Sequence, residues 1–348
     1  MDKIRLGRTG MMVSRLGFGG IPIQRLSEDE AVAVVRKCLD LGITFLDTAN
    51  GYTTSEERIG KAISGRRKRV FLATKTHART REEIEKTIQL SLKRMSVDYI
   101  DLYQLHQVGD FKMLDAVLAP GGAVEILEEA KRAGVIRHIG VSSHQIDVAK
   151  AIVKSGRFET LMFPFNFITS EAADELLPLC KEHDVGFIAM KPMAGGMLEN
   201  ATIAFKYLLQ FPHVLPIPGI EKPQEIEEIC QIINQPYEMT AAEKKEMQRL
   251  REELGTRFCH RCDYCQPCQQ EIPISMVMTF PSFLKRMRTE QLLSGRMSEM
   301  MEKAGTCIQC HECEARCPYR LPIVDIIAEN YQTFEKIKTK LQKQKPSE

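Results

Sequence analysis

Four polar side chains stand where short apolar runs end. Asp47 follows Ile43-Thr44-Phe45-Leu46, and Tyr52 comes five residues later. Lys75 follows Leu72-Ala73-Thr74, and His106 follows Leu102-Tyr103-Gln104-Leu105. A carboxylate, an amine, a phenol and an imidazole in one pocket can hold and move a proton. Taken singly, each has a structural explanation: a buried ion pair for Asp47 and Lys75, a loop residue for Tyr52, a core histidine for His106. At the ends of consecutive strands, the four together point to chemistry. Cysteine makes a second constellation. Of 11 cysteines, only Cys38, Cys180 and Cys230 precede Cys259, and the other eight crowd between Cys259 and Cys317. In a reducing compartment such crowding favours metal ligation over disulfides. The three early cysteines read as core packing.

These residues need a scaffold, and the chain alternates strand-like and helical runs up to about residue 237. Strands are expected near 15–18, 43–47, 70–74, 99–105, 137–141, 160–165, 186–190 and 214–217. Ser27 with Glu30, and Thr80 with Glu83, are capping boxes that open helices. Gly42 ends the first of these helices, and the second runs to about Leu92. Alternation of this kind predicts a parallel sheet, and eight units favour a closed (β/α)8 TIM barrel, an α/β fold, over an open sheet. The segment Gly17-Phe18-Gly19-Gly20 lacks the spacing of a Rossmann turn. Residues 238–257 read as a charged linker helix, 258–330 as a small cysteine-bearing domain, and 331–348 as a basic tail, frayed and solvated from Lys336.

With 43% apolar and 27% charged residues, the 348-residue chain has an ordinary globular composition. A net charge of +2 gives no reason to expect nucleic acid or an anionic membrane as partner. Neither a membrane-length apolar run nor a signal peptide is apparent, so the expected location is cytoplasmic.

The motifs of the first 230 residues resemble the aldo-keto reductases. They are Asp47-Thr48-Ala49-x-x-Tyr52, Ser55-Glu56-x-x-Ile59-Gly60, Ala73-Thr74-Lys75 and Asp98-Tyr99-Ile100-Asp101-Leu102 leading to His106. Leu6-Gly7-Arg8-Thr9-Gly10 with Val13-Ser14 is similar to that family's N-terminal hairpin. Ile139-Gly140-Val141-Ser142-Ser143 and Ile217-Pro218-Gly219 are similar to its fifth and eighth strands. The resemblance implies a catalytic tetrad of Asp47, Tyr52, Lys75 and His106, acting on a small carbonyl or alcohol substrate. Tyr52 would protonate the developing alkoxide, and Lys75 would ease release of that proton. Asp47 would orient Lys75, and His106 would bind the carbonyl oxygen. It also implies NAD(P)H across the top of the barrel, with contacts at Gly19, Ser142, Ser143, Asn166, Met190, Lys191, Pro192, Gly195, Gly219, Lys222 and Glu228. Two segments depart from the family pattern. Met162 stands where a glutamine is usual, and Glu221 and Glu225 replace small or basic residues. These two carboxylates would repel a 2′-phosphate, so NADH is expected over NADPH.

The second cysteine run, Cys307-x2-Cys310-x2-Cys313-x3-Cys317-Pro318, matches the bacterial ferredoxin pattern in every spacing and in its proline. That resemblance implies a ferredoxin-like domain with two [4Fe–4S] clusters. One would be held by Cys259, Cys262, Cys265 and Cys317, the other by Cys268, Cys307, Cys310 and Cys313. The first run departs from the pattern, with Gln269 in place of proline. Two zinc ions would also use eight thiolates. His260 and His311 sit beside ligands without being taken as ligands. Three functions therefore stay open: an NAD(P)H-linked carbonyl oxidoreductase, a nicotinamide sensor, and an electron-transfer protein with a redox partner.

Overall fold

A computed structural model describes residues 1–261 and 263–344. The chain forms two compact units that divide after Glu243.

The first unit opens with a hairpin, β1 (Lys3–Arg5) and β2 (Met12–Ser14), paired antiparallel with Ile4 opposite Val13. Eight parallel strands follow: β3 (Gly17–Gly19), β4 (Phe45–Asp47), β5 (Phe71–Thr76), β6 (Ile100–Leu105), β7 (Ile136–Ser142), β8 (Thr160–Pro164), β9 (Gly186–Met190) and β10 (Val214–Ile217). Each pairs with its sequence neighbour. A parallel bridge between Gly19 and Gly219 joins the first strand to the last, and Gly19 N donates to Pro218 O at 2.8 Å. A Cβ on Gly19 would lie 2.9 Å from Ile217 O, so a glycine is what lets the barrel close. The sheet is therefore the expected (β/α)8 barrel, with all eight strands near their expected places.

The helices form for legible reasons. Helix Glu28–Asp40 starts at Ser27, whose backbone amide donates to the Glu30 carboxylate at 2.9 Å while its hydroxyl accepts from Glu30 N. It buries Val34, Val35 and Cys38. Helix Arg81–Met95 starts at Thr80 with the matching Glu83 box. Cys180 and Cys230 are buried as well.

The hairpin packs at the beginnings of the strands. Ser14 N donates to Thr44 Oγ1 just before β4, Arg8 N donates to Asp184 O just before β9, and Leu6 lies against Gly186. Leu6, Met11 and Val13 share one buried cluster with Phe45, Leu102, Ile188 and Leu215 inside the barrel. One mouth is thereby plugged with apolar side chains. The strand C-terminal ends remain for the polar residues.

The second unit is helical. Helix Ala241–Gly255 crosses the division, and short helices lead to a long last one, Ile323–Gln344. Its core gathers Ile272, Val277, Phe280, Leu292, Met301, Leu321, Ile327 and Phe334. The stretch read from sequence as a frayed basic tail is corrected here. Residues 331–344 continue the last helix, because Phe334 extends its apolar stripe into the core and is fully buried. Lys338 lies nearer the surface, donating to Glu302 at 2.8 Å. Among the described residues, no helix is long and apolar enough to cross a membrane.

Candidate active site

Backbone hydrogen bonds place the four residues before any side chain acts. Asp47 ends β4, Lys75 lies near the end of β5, and His106 follows β6. Beyond Asp47 the chain continues along β5: Thr48 N donates to Ala73 O, and Asn50 N donates to Lys75 O, both at 2.9 Å. A turn then presents Tyr52, whose amide donates to Ala49 O and whose carbonyl accepts from Ser55 N. Ser55 and Glu56 hold that turn from below. The Ser55 hydroxyl accepts from Thr48 Oγ1 and donates to Gly20 O, each at 2.8 Å. Buried Glu56 accepts from Thr74 Oγ1 at 2.7 Å and from Arg94 at 3.2 Å. His106 N donates to Thr76 O, and Arg79 donates to His106 O at 2.6 Å.

The side chains converge. Lys75 Nζ donates to Asp47 Oδ2 at 2.5 Å and to Thr48 O at 2.7 Å, and both residues are almost wholly buried. The Lys75 ammonium lies 5.0 Å from the centre of the Tyr52 ring. The Tyr52 ring meets that of His106 edge-on, with centres 6.0 Å apart. Burial works against the Lys75 charge, but Asp47 and the Tyr52 oxygen outweigh it and hold the ammonium above the ordinary lysine value. Burial pushes the Asp47 carboxyl up, while Lys75 and Gln104 pull against it. The result is a buried charged pair beneath a phenol, with an imidazole beside it. Such a site can support proton donation to an oxygen held between Tyr52 and His106.

Two neighbours were not singled out from sequence. Gln104 Nε2 donates to Asp47 Oδ1 at 3.0 Å. The His77 ring stacks on His106 at 4.1 Å. The strand period was the available signal for Gln104, because it stands two residues before His106 and so shares its face.

The residues expected to hold a cofactor gather at the ends of β3 and of β7 to β10. Gly19 and Gly219 meet at the closing bridge. Ser142 accepts from Gln107 N at 2.8 Å, and Ser143 N donates to Met162 O. Asn166 accepts from Ile168 N and Thr169 N, and donates to Lys191 O at 3.0 Å. Met190 ends β9, where its carbonyl accepts from Phe165 N. Lys191, Pro192 and Gly195 form the turn that follows, in which Lys191, Gly195 and Gly196 all have positive φ. Met162 is buried in the barrel core. Lys222 and Glu228 are exposed at and within helix Pro223–Ile233. Glu221 and Glu225, expected to repel a 2′-phosphate, are both engaged within the protein. Glu225 turns back onto the amides of Glu221 and Lys222, at 2.8 and 3.1 Å, because the start of a helix leaves those donors open. Glu221 lies 3.4 Å from Arg25.

The second unit holds two cysteine-lined cavities. One is lined by Cys268, Cys307, Cys310 and Cys313. The other is lined by Cys259, Cys265 and Cys317. Ile274 lines both. Cys262 lies outside the described residues. His311 is exposed beside the first cavity, and His260 stacks on Tyr319 beside the second at 3.7 Å. Among the described residues, no group of three or more His, Cys, Asp or Glu is placed to hold a single metal ion.

Comparison with known proteins agrees with the barrel. The model of the aldo/keto reductase family matches residues 15–203. The chain is 33% identical over 214 residues to the uncharacterized oxidoreductase YqkF of Bacillus subtilis (strain 168), covering 58% of this chain and 67% of that one. Its structure is similar to the holo form of the aldo-keto reductase AKR11C1 from Bacillus halodurans, with a TM-score of 0.63 and 28% identity over 72% of this chain and 96% of the other. An aldo-keto reductase from Klebsiella pneumoniae in complex with NADPH gives a TM-score of 0.61 at 25% identity, over 72% of this chain and 94% of that one. The fold and site thus define a barrel oxidoreductase. The chain belongs to the aldo/keto reductase family.

Proposed function

We propose that the barrel reduces an aldehyde or ketone with NAD(P)H, or oxidises the corresponding alcohol, through Asp47, Tyr52, Lys75 and His106. The observation that carries this reading is the buried Lys75–Asp47 pair set beneath the Tyr52 ring. When bound, the nicotinamide supplies the hydride. Tyr52 gives its phenolic proton to the carbonyl oxygen as negative charge develops there, and the Lys75 ammonium steadies the phenolate left behind. Asp47 holds Lys75 in place, and His106 donates a hydrogen bond that fixes the oxygen. The Gly19–Gly219 seam and the strand-end residues Ser142, Ser143, Asn166 and Lys191 would hold the cofactor. The NADPH complex of the Klebsiella relative supports a cofactor with a 2′-phosphate. With Glu225 committed to the helix start, exposed Lys222 would meet a 2′-phosphate, so NADPH replaces NADH as the favoured partner.

The same reading gives the second unit two [4Fe–4S] clusters. Cys268, Cys307, Cys310 and Cys313 would hold one, and Cys259, Cys262, Cys265 and Cys317 the other. Support comes from the division of the described cysteines between two cavities, with the last cysteine of each run grouped with the opposite run. Separate cavities ringed by thiols suit soft multi-iron groups. Bound clusters supply one-electron chemistry and a cross-link, and in this chain their main work is to hold the unit together.

Anaerobically purified chain should carry about eight iron and eight sulfide, bind NADPH, and reduce a simple aldehyde such as 4-nitrobenzaldehyde. Tyr52→Phe should lower turnover on the order of 100-fold or more while leaving NADPH binding intact. Parent-level turnover by that variant would sink the mechanism.

A further inference from the structure

We propose that Gln104 and Thr160 are a positioning pair that keeps Asp47 ionised and aimed at Lys75, linked to each other across Gly140 by one buried water. The proposal rests on the reading of Asp47 and Lys75 as catalytic.

Strand register carries the first part. Lys75 pairs with Gln104, Gln104 with Gly140, and Gly140 with Thr160, so the four form one row across β5 to β8. Gln104 and Thr160 are wholly buried. Gln104 spends its amide N–H on Asp47 Oδ1 at 3.0 Å. That contact fixes which way the amide faces, since the opposite orientation would set its oxygen against a carboxylate.

The far side of the row is unfinished. Among the described residues, neither Gln104 Oε1 nor Thr160 Oγ1 has a hydrogen-bond partner. One is an acceptor and the other a donor, and both belong to side chains that meet over Gly140. A Cβ there would lie 2.2 Å from Thr160 Oγ1 and 3.0 Å from Gln104 Cγ. A glycine is therefore what keeps the two side chains in one space. Buried polar groups almost always find a partner, and a water with two or more polar neighbours is the usual one. Here it would accept from the Thr160 hydroxyl and donate to Gln104 Oε1. Thr160 then acts on Asp47 only through Gln104, and neither touches substrate.

The test uses the full chain with Thr160→Val, Thr160→Ser, Gln104→Leu and the Thr160→Val/Gln104→Leu double variant. Removing the amide donor removes a bond that only the carboxylate form of Asp47 accepts well. The acid limb of the pH profile for NADPH-dependent 4-nitrobenzaldehyde reduction should therefore move to higher pH. In Gln104→Leu, kcat should fall on the order of tenfold with KM nearly unchanged, as for a misplaced catalytic group. Thr160→Val should move the same limb less far, and Thr160→Ser, which keeps the hydroxyl, should restore it. The double variant should match Gln104→Leu alone, because the two act in series. A parent-like profile for Thr160→Val, or losses that multiply in the double variant, overturns the proposal. If the parent reduces no aldehyde, the functional reading fails, and a urea-unfolding cycle over the same variants at acid and neutral pH still decides the coupling. If Gln104→Leu does not fold, the contrast between Thr160→Val and Thr160→Ser carries the test.

Discussion

The two units place their reactive side chains in opposite ways. In the barrel, Asp47 and Lys75 sit on paired strands and are buried in a closed sheet, and even the turn carrying Tyr52 is tied to its own backbone and to Ser55. In the C-terminal unit the described cysteines lie largely outside helices. Cys310 is exposed, Cys307 and Cys317 are half-buried, and the helix holding Cys313 spans only Glu312–Ala315. A scaffold fixed by backbone hydrogen bonds can hold its site without a ligand. Loops of this kind need something to tie them, and metal binding can provide it.

The largest expected effect follows from that contrast. Removing iron from the proposed clusters with a chelator under anaerobic conditions should unfold the C-terminal unit and leave the barrel folded. Two separate transitions should replace the holoprotein's behaviour, with helical signal lost first. A single unchanged transition after complete iron loss would erase the distinction drawn between the units.

A smaller effect sharpens the barrel side. Lys75→Met leaves Asp47 buried without its counter-charge, which should cost about 3–5 kcal/mol at neutral pH. With burial opposed only by the Gln104 hydrogen bond, the folded-state pKa of Asp47 is raised further. A group of that kind contributes stability that is present below its unfolded value of about 3.9 and lost as pH rises through the folded value. The stability gap between parent and Lys75→Met should therefore widen from pH 4 to pH 8. Denaturant titrations at the two pH values measure it, and a gap independent of pH argues against a buried ionised pair.

An effect of similar size is local to the other unit. Phe334→Ala empties a fully buried site and should cost about 3–5 kcal/mol of that unit's stability, with no change in the barrel's transition. Calorimetry resolves the two, and an equal shift in both would mean that they unfold together.

The barrel was readable because its rules are local. Capping boxes at Ser27 and Thr80 and apolar runs ending in Asp47 and Lys75 each follow from short stretches of chain. The inward face of β6 was equally available in principle, but Gln104 gains meaning only from register with Lys75 and Gly140, which a single sequence does not display. Glu225 misled for a related reason: a carboxylate near a turn expected to hold phosphate reads as repulsion until its helix-capping bonds are seen. The basic stretch from Lys336 misled through composition, since a charged surface concealed the stripe that seats Phe334.

The seam that closes the barrel has a consequence of its own. Every other pair of neighbouring barrel strands is joined by a run of paired residues, whereas β3 and β10 meet at one glycine bridge. This makes the seam the natural place for the barrel to breathe. Gly19 and Gly219 flank it, and the Lys75–Asp47 pair belongs to other strands. Amide exchange should be fastest at Gly19 among the barrel strands and should slow when NADPH binds, while the amides of β5 and β6 stay protected throughout.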